Sequence, residues 1–200
     1  MTPAGFRLLP ARLDPAAQAD LTAAVLSAIE GAPLYRPMVP SGKPMSVTMT
    51  NLGDLGWLTD AAGYRYGPHH PVSGAPWPPI PPALLELWAA VGDAATPPDA
   101  CLVNVYGPGA RMGLHQDRDE ADFSLPVVSV SLGDTAIFRL GGARRGDPTT
   151  SVRLASGDVC VLAGEARLAF HGVDRVIAGS SRLVPGGGRI NLTMRRAAPA

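Results

Sequence analysis

A mainly β fold with a smaller α-helical part, arranged as a double-sheet jelly roll or barrel, is predicted by two features of the sequence. From residue 101 onward, at least seven short β-like runs follow one another: CLVNVY, PVVSVSL, TAIFRL, TSVRL, DVCVL, RLAF and RINLTM. Their separators are rich in Gly, Pro and Asp, as in GPGA, GGARRGDP and VPGGG, and no helical stretch intervenes. Strands without crossover helices argue against a parallel doubly wound sheet. With 200 residues, 46% of them hydrophobic, one compact domain with a full core is the expectation.

The first element is a helix over DPAAQADLTAAVLSAIEG. Asp14 can cap it, Pro15 suits its first turn, Ala17, Leu21, Ala24, Val25 and Ala28 recur at helical spacing, and Gly31 stops it. Residues 31–81 carry little periodicity and many Gly and Pro, which predicts a long ordered loop or a set of short edge strands and turns. A shorter helix is expected from Pro82 to Val91. The strand-rich part then begins.

Cys101 and Cys160 each sit inside an apolar run and read as buried free thiols of a reducing compartment. Neither a secretory leader nor an apolar run of about 20 residues is present, so the expectation is a soluble cytoplasmic protein with no membrane contact. Net charge is zero, which argues against a generic nucleic-acid coat. The charge is uneven, however: residues 139–196 carry 10 arginines against four acids. That excess could face an anion, or could be an ordinary solvated surface.

Chemistry enters at LHQDRDEAD. His115 and Asp117 are two apart, so an extended chain puts both on one face, and His171 in RLAFHG could add a second imidazole. Two imidazoles and one carboxylate leave open the positions that non-haem Fe(II) oxygenases use. Taken alone the pair is equally an ordinary polar turn. In RINLTMR, Arg189, Asn191, Thr193 and Arg195 alternate with Ile190, Leu192 and Met194. Either that polar face looks at water, or it looks inward and its two guanidiniums need an anionic partner such as a small dicarboxylate. The same parity puts Asn104 and Tyr106 on one face of LVNVY.

The run NVYGPGARMGLHQDRDE, followed by PVVSVSLGDTAIFRLGG, GDV, the FHG around His171 and RINLTMR, resembles the AlkB family of Fe(II)/2-oxoglutarate-dependent nucleic-acid demethylases. MSVTMTNLGDLGW and GYRY extend the resemblance to roughly residues 45–196. It implies a double-stranded β-helix core over 101–196, with N-terminal helices and a nucleotide-recognition lid in 1–100, all one domain. It implies that His115, Asp117 and His171 hold Fe(II), and that Arg189 and Arg195 hold the carboxylates of 2-oxoglutarate with hydrogen bonds from Asn104, Tyr106 and Asn191. Dioxygen is the remaining co-substrate. Trp57, Tyr64, Met49, Asp119 and Arg145 fall at substrate-binding positions, Asp119 near a base that methylation has made cationic.

The reaction so implied is demethylation of 1-methyladenine and 3-methylcytosine in DNA, single-stranded most readily or RNA as a second possibility, by a monomer without an obligate protein partner. Two departures are visible. Leu162 stands where close bacterial relatives carry tryptophan, and the loop between His171 and Arg189 is one residue longer. His69 and His70 match no functional position and are expected in a solvent-exposed loop. The competing readings are an oxygenase of this type acting on RNA, protein or a small molecule, and a non-catalytic cupin-like metal-binding module.

Overall fold

In a computed structural model, residues 2–93 and 95–199 are described. These residues form twelve strands and two α-helices in the order β1 (Phe6–Leu9), α1 (Pro15–Gly31), β2 (Thr48–Gly53), β3 (Gly56–Asp60), β4 (Gly63–Gly67), α2 (Pro82–Val91), β5 (Ala100–Tyr106), β6 (Met112–His115), β7 (Val127–Gly133), β8 (Thr135–Leu140), β9 (Thr150–Leu154), β10 (Val159–Leu162), β11 (His171–Ile177) and β12 (Arg189–Arg195). A six-stranded sheet runs β1-β10-β7-β12-β5-β2, a four-stranded sheet runs β6-β11-β8-β9, and β3 pairs with β4 alone. All of the pairings are antiparallel, as a jelly roll without crossover helices requires.

Both predicted helices are found at their predicted bounds. Asp14 caps α1 by accepting from the Ala17 amide at 2.8 Å. Together α1 and α2 cover one face of the large sheet. Leu21, Val25, Leu84, Leu87 and Trp88 pack there against Val103, Val128, Val130, Val161, Ile190, Leu192 and Met194. Residues of opposite parity on the same strands, Leu102, Val127, Cys160 and Leu162, turn to the second sheet and meet Phe138, Leu140 and Leu154. Period-two alternation thus divides the sheet into a helix-backed face and an inward face, and a register slip of one residue would exchange them.

Three expectations need correction. RLAF is not a strand: Gly164–Leu168 forms a 3₁₀ turn, so His171 opens a strand instead of ending one. His70 is buried, not solvated. Its ring bonds the Pro33 carbonyl at 2.7 Å, accepts from the amides of Val72 and Ser73, and meets Tyr35 and Trp77 edge-on. Only His69 is exposed. The division near residue 100 is also crossed by the large sheet, because β1 pairs with β10 and β2 with β5. The N-terminal hundred residues therefore supply two strands of the core as well as helices and a hairpin.

Central position makes β12 the strand on which the large sheet depends. Leu192 is fully buried between β5 and β7, beneath the helices. Leu192→Ala is expected to lower the free energy of unfolding by about 3 kcal/mol, the usual cost of an aliphatic truncation that the site cannot refill, measured by urea denaturation.

Candidate active site

The inward face of the large sheet and the second sheet enclose a cavity of about 620 Å³. His115, Asp117 and His171 stand at its middle, their ligating atoms all within 4.8 Å of one another. The sequence arranges this in two ways. His115 and His171 are directly paired across β6 and β11, and Gly172 lets the two backbones approach, since a Cβ there would lie 2.5 Å from the Met112 carbonyl oxygen. Asp117 lies just past the end of β6, where the extended segment brings its carboxylate 3.7 Å from His115 Nε2 and 3.8 Å from His171 Nε2.

The imidazoles are set for a metal. Each Nδ1 lies 2.9 Å from a backbone carbonyl, that of Gly113 for His115 and Ala169 for His171. A carbonyl only accepts, so Nδ1 carries the hydrogen and Nε2 presents its lone pair to the site. Burial, then the neighbouring His115 ring, brings the His171 pKa down to about 4, leaving the neutral ring that ligates. Burial alone would raise the Asp117 carboxyl. Arg195, donating to Oδ2 at 2.8 Å, outweighs it together with the two imidazoles and holds the group well below the usual carboxylate range. Two imidazole nitrogens and one carboxylate oxygen fit a divalent non-haem iron.

Below this triad the polar face of β12 looks inward. Arg189 and Arg195 are both buried, and so is Arg167, so three of the ten arginines in 139–196 serve the interior. Arg195 is balanced by Asp117. Arg189 is not: NH2 donates to Ser131 at 2.8 Å, NH1 reaches only the carbonyls of Asp134 and Leu154, and Nε has no partner among the described residues. Among the described residues no carboxylate lies within 4 Å of it. The buried Asn104 Oδ1 is likewise unpartnered, and burial pushes the Tyr106 hydroxyl up to about 12, so it stays a donor. Unsatisfied groups of this kind around a guanidinium describe a receptor for a carboxylate. Asn191 also lines the cavity, but its amide is used within the sheet, donating to Ser129 and accepting from Thr193.

At the mouth, Trp57 and Tyr64 stack with centroids 5.5 Å apart, and Trp57 Nε1 donates to Asp119 at 2.7 Å. Met49 is fully buried on β2 opposite Asn104. Arg145 lies over Phe170 and donates to the Leu114 carbonyl, while Arg144 belongs to an exposed turn closed by Asp147. Leu162 is fully buried in the wall. Every site residue named from the sequence lines this one cavity.

Sequence reasoning missed Glu120, Arg167 and Tyr66, which form a buried charged network beneath Asp117. No spacing marks them: Glu120 is one of four acids in a polar stretch, and Arg167 lies in a segment that reads as a strand.

Comparison with known proteins gives the same picture. The model of the 2OG-Fe(II) oxygenase superfamily matches residues 5–195. The alpha-ketoglutarate-dependent dioxygenase AlkB homolog of Caulobacter vibrioides is 65% identical over 196 residues, covering 98% of this chain and 89% of the relative. The alpha-ketoglutarate-dependent dioxygenase AlkB of Escherichia coli is 48% identical over 168 residues, covering 82% and 77%. The solved structure of OsALKBH1 superposes with a TM-score of 0.82 at 34% identity, covering 98% of this chain and 99% of that one. With the family's metal triad and jelly roll both in view, the chain belongs to the AlkB family of 2-oxoglutarate- and Fe(II)-dependent dioxygenases.

Proposed function

We propose that this dioxygenase removes methyl groups from alkylated bases, 1-methyladenine and 3-methylcytosine above all, in single-stranded DNA, acting as a monomer in the cytoplasm. The observation that carries the reading is Arg189, a buried guanidinium without an acid, on the floor of the cavity that holds the His115–Asp117–His171 triad.

His115, Asp117 and His171 would hold Fe(II). Bound there with 2-oxoglutarate and dioxygen, the metal supplies an oxidation in which 2-oxoglutarate becomes succinate and carbon dioxide and the N-methyl group is hydroxylated and lost as formaldehyde. The chain's own residues sort the reactants. Arg189 fixes the distal carboxylate of 2-oxoglutarate, and the protonated Tyr106 adds a hydrogen bond. Arg195 orients Asp117 and stands ready for the second carboxylate. Asn104 and Asn191 shape the channel between them.

At the mouth, Trp57 offers a face on which an extruded base can stack, and Asp119 places negative charge beside it. A methyl group on N1 of adenine or N3 of cytosine makes the base a cation, which the carboxylate and the aromatic ring both prefer to the neutral parent. Tyr64 widens the platform, and Arg145 offers a guanidinium at the rim to the nucleic-acid backbone. Met49 and Leu162 complete an apolar wall.

Aerobic incubation with Fe(II), ascorbate, 2-oxoglutarate and a single-stranded oligonucleotide bearing one 1-methyladenine tests this directly. Intact mass is expected to fall by one methylene, dependent on both iron and 2-oxoglutarate; an unchanged oligonucleotide with 2-oxoglutarate consumed would move the substrate elsewhere. Arg189→Met replaces an unbalanced buried cation with an apolar chain of similar reach. The variant is expected to be as stable as the parent or more so in thermal melts, while 2-oxoglutarate binding is lost in calorimetry. Asp119→Asn keeps an acceptor for Trp57 and removes only charge. Its kcat/KM for 1-methyladenine should drop about five- to tenfold, with a smaller change for a neutral methylated base.

A further inference from the structure

The β3–β4 hairpin pairs with no other strand among the described residues, so beyond its short link to β2 its position is fixed by side-chain contacts. Four side-chain ties reach the body of the fold, two of them from the Tyr35 hydroxyl to the Trp57 carbonyl at 3.4 Å and from the Thr59 hydroxyl to the Met38 carbonyl at 3.2 Å. Asn51 grips the Trp57 backbone by its amide and carbonyl, and Trp77 Nε1 donates to the Gly67 carbonyl at 2.8 Å. Two more reach the segment that carries Asp117: Trp57 to Asp119, and the Tyr66 hydroxyl to Glu120 Oε1 at 2.6 Å.

Glu120 is the hub of what lies beneath. Its Oε2 accepts from Arg167 NH2 at 2.9 Å, and Arg167 also donates to the Asp117 carbonyl at 2.6 Å and the Leu125 carbonyl at 2.9 Å. Its Oε1, already bonded to Tyr66, lies 3.3 Å from Arg195 Nε. That same Nε is 3.2 Å from Asp117 Oδ2. Burial holds the Tyr66 hydroxyl protonated, so it is a donor to Oε1 and not a rival anion.

We propose that Tyr66 and Glu120 are positioning residues that latch the hairpin to the co-substrate anchor, so that closing the hairpin over nucleic acid and seating 2-oxoglutarate favour one another. The inference rests on the assignment of Arg195 to a carboxylate of 2-oxoglutarate. With the hairpin seated, Tyr66 satisfies Glu120 Oε1 and holds it 3.3 Å from Arg195 Nε, so the guanidinium, which donates to Asp117 through Nε and NH2, keeps NH1 for an incoming carboxylate. With the hairpin lifted, Oε1 loses its donor and draws Arg195 to itself. Because the two events share one hydrogen-bonded oxygen, each must help the other by the same factor. One hydrogen bond to a charged group sets that factor at roughly tenfold.

The test is a titration of Fe(II)-loaded protein with 2-oxoglutarate under nitrogen, with and without a saturating single-stranded oligonucleotide containing 1-methyladenine, followed by calorimetry. In the parent protein the oligonucleotide is expected to tighten 2-oxoglutarate binding about tenfold. Tyr66→Phe, which removes one oxygen and retains the ring, should bring that ratio close to one with an unchanged Tm. Glu120→Gln should do the same, since its neutral oxygen no longer competes for Arg195. An undiminished ratio in a folded Tyr66→Phe protein overturns the latch, as does a ratio of one in the parent. Should the parent take up no 2-oxoglutarate at all, the assignment of the co-substrate site falls and the latch falls with it, a result distinct from binding without coupling.

Discussion

Two guanidiniums buried on one face of one strand constrain everything else in this molecule. Arg189 and Arg195 lie six residues apart on β12, on the same side of the central strand of the large sheet. Ionised groups so far from water are tolerated only where opposite charge or many hydrogen bonds compensate. Asp117 and Glu120 answer Arg195. For Arg189 the described residues supply a serine hydroxyl and carbonyls within hydrogen-bond range and no carboxylate within 4 Å, and the cavity opens in front of it. The cavity is the part of the core that the sequence leaves to be filled by an anion.

The same arrangement sorts reactants by sign. Arginines stand on the floor, a triad of two imidazoles and one carboxylate in the middle, and Asp119 with Trp57 at the mouth. On the proposed reading, a dianion would be drawn past the triad to the floor and a cationic base held at the rim.

Much of this was readable in the residues. Alternation in RINLTMR identified a two-faced strand, and the structure decides that its polar face points inward, because helices α1 and α2 cover the other face. The helix limits followed from Asp14 and the glycine at 31, local signals that tertiary packing did not override. What could not be read was pairing across long intervals. Phe6 lies opposite Leu162 and Thr48 opposite Val105, and no local pattern announces either partner. His70 looked like a surface residue because GPHHP has the composition of a loop. Its burial depends on Tyr35, distant in sequence, and Trp77 closing around it. Glu120 was hidden for the converse reason: in a polar stretch, an acid that faces inward has the same spelling as one that faces water.

The place of β12 in chain order has a consequence for how the protein is made. It is the last of the twelve strands to leave the ribosome, yet it occupies the middle of the sheet, hydrogen-bonded to β5 on one side and β7 on the other. Until it emerges, β5 and β7 present two unprotected edges to each other and to any neighbouring chain. One seven-residue segment therefore both closes the sheet and brings the two arginines to the cavity. Such late, non-local closure makes for slow folding, and it ensures that no partly synthesised chain owns a finished oxidising centre.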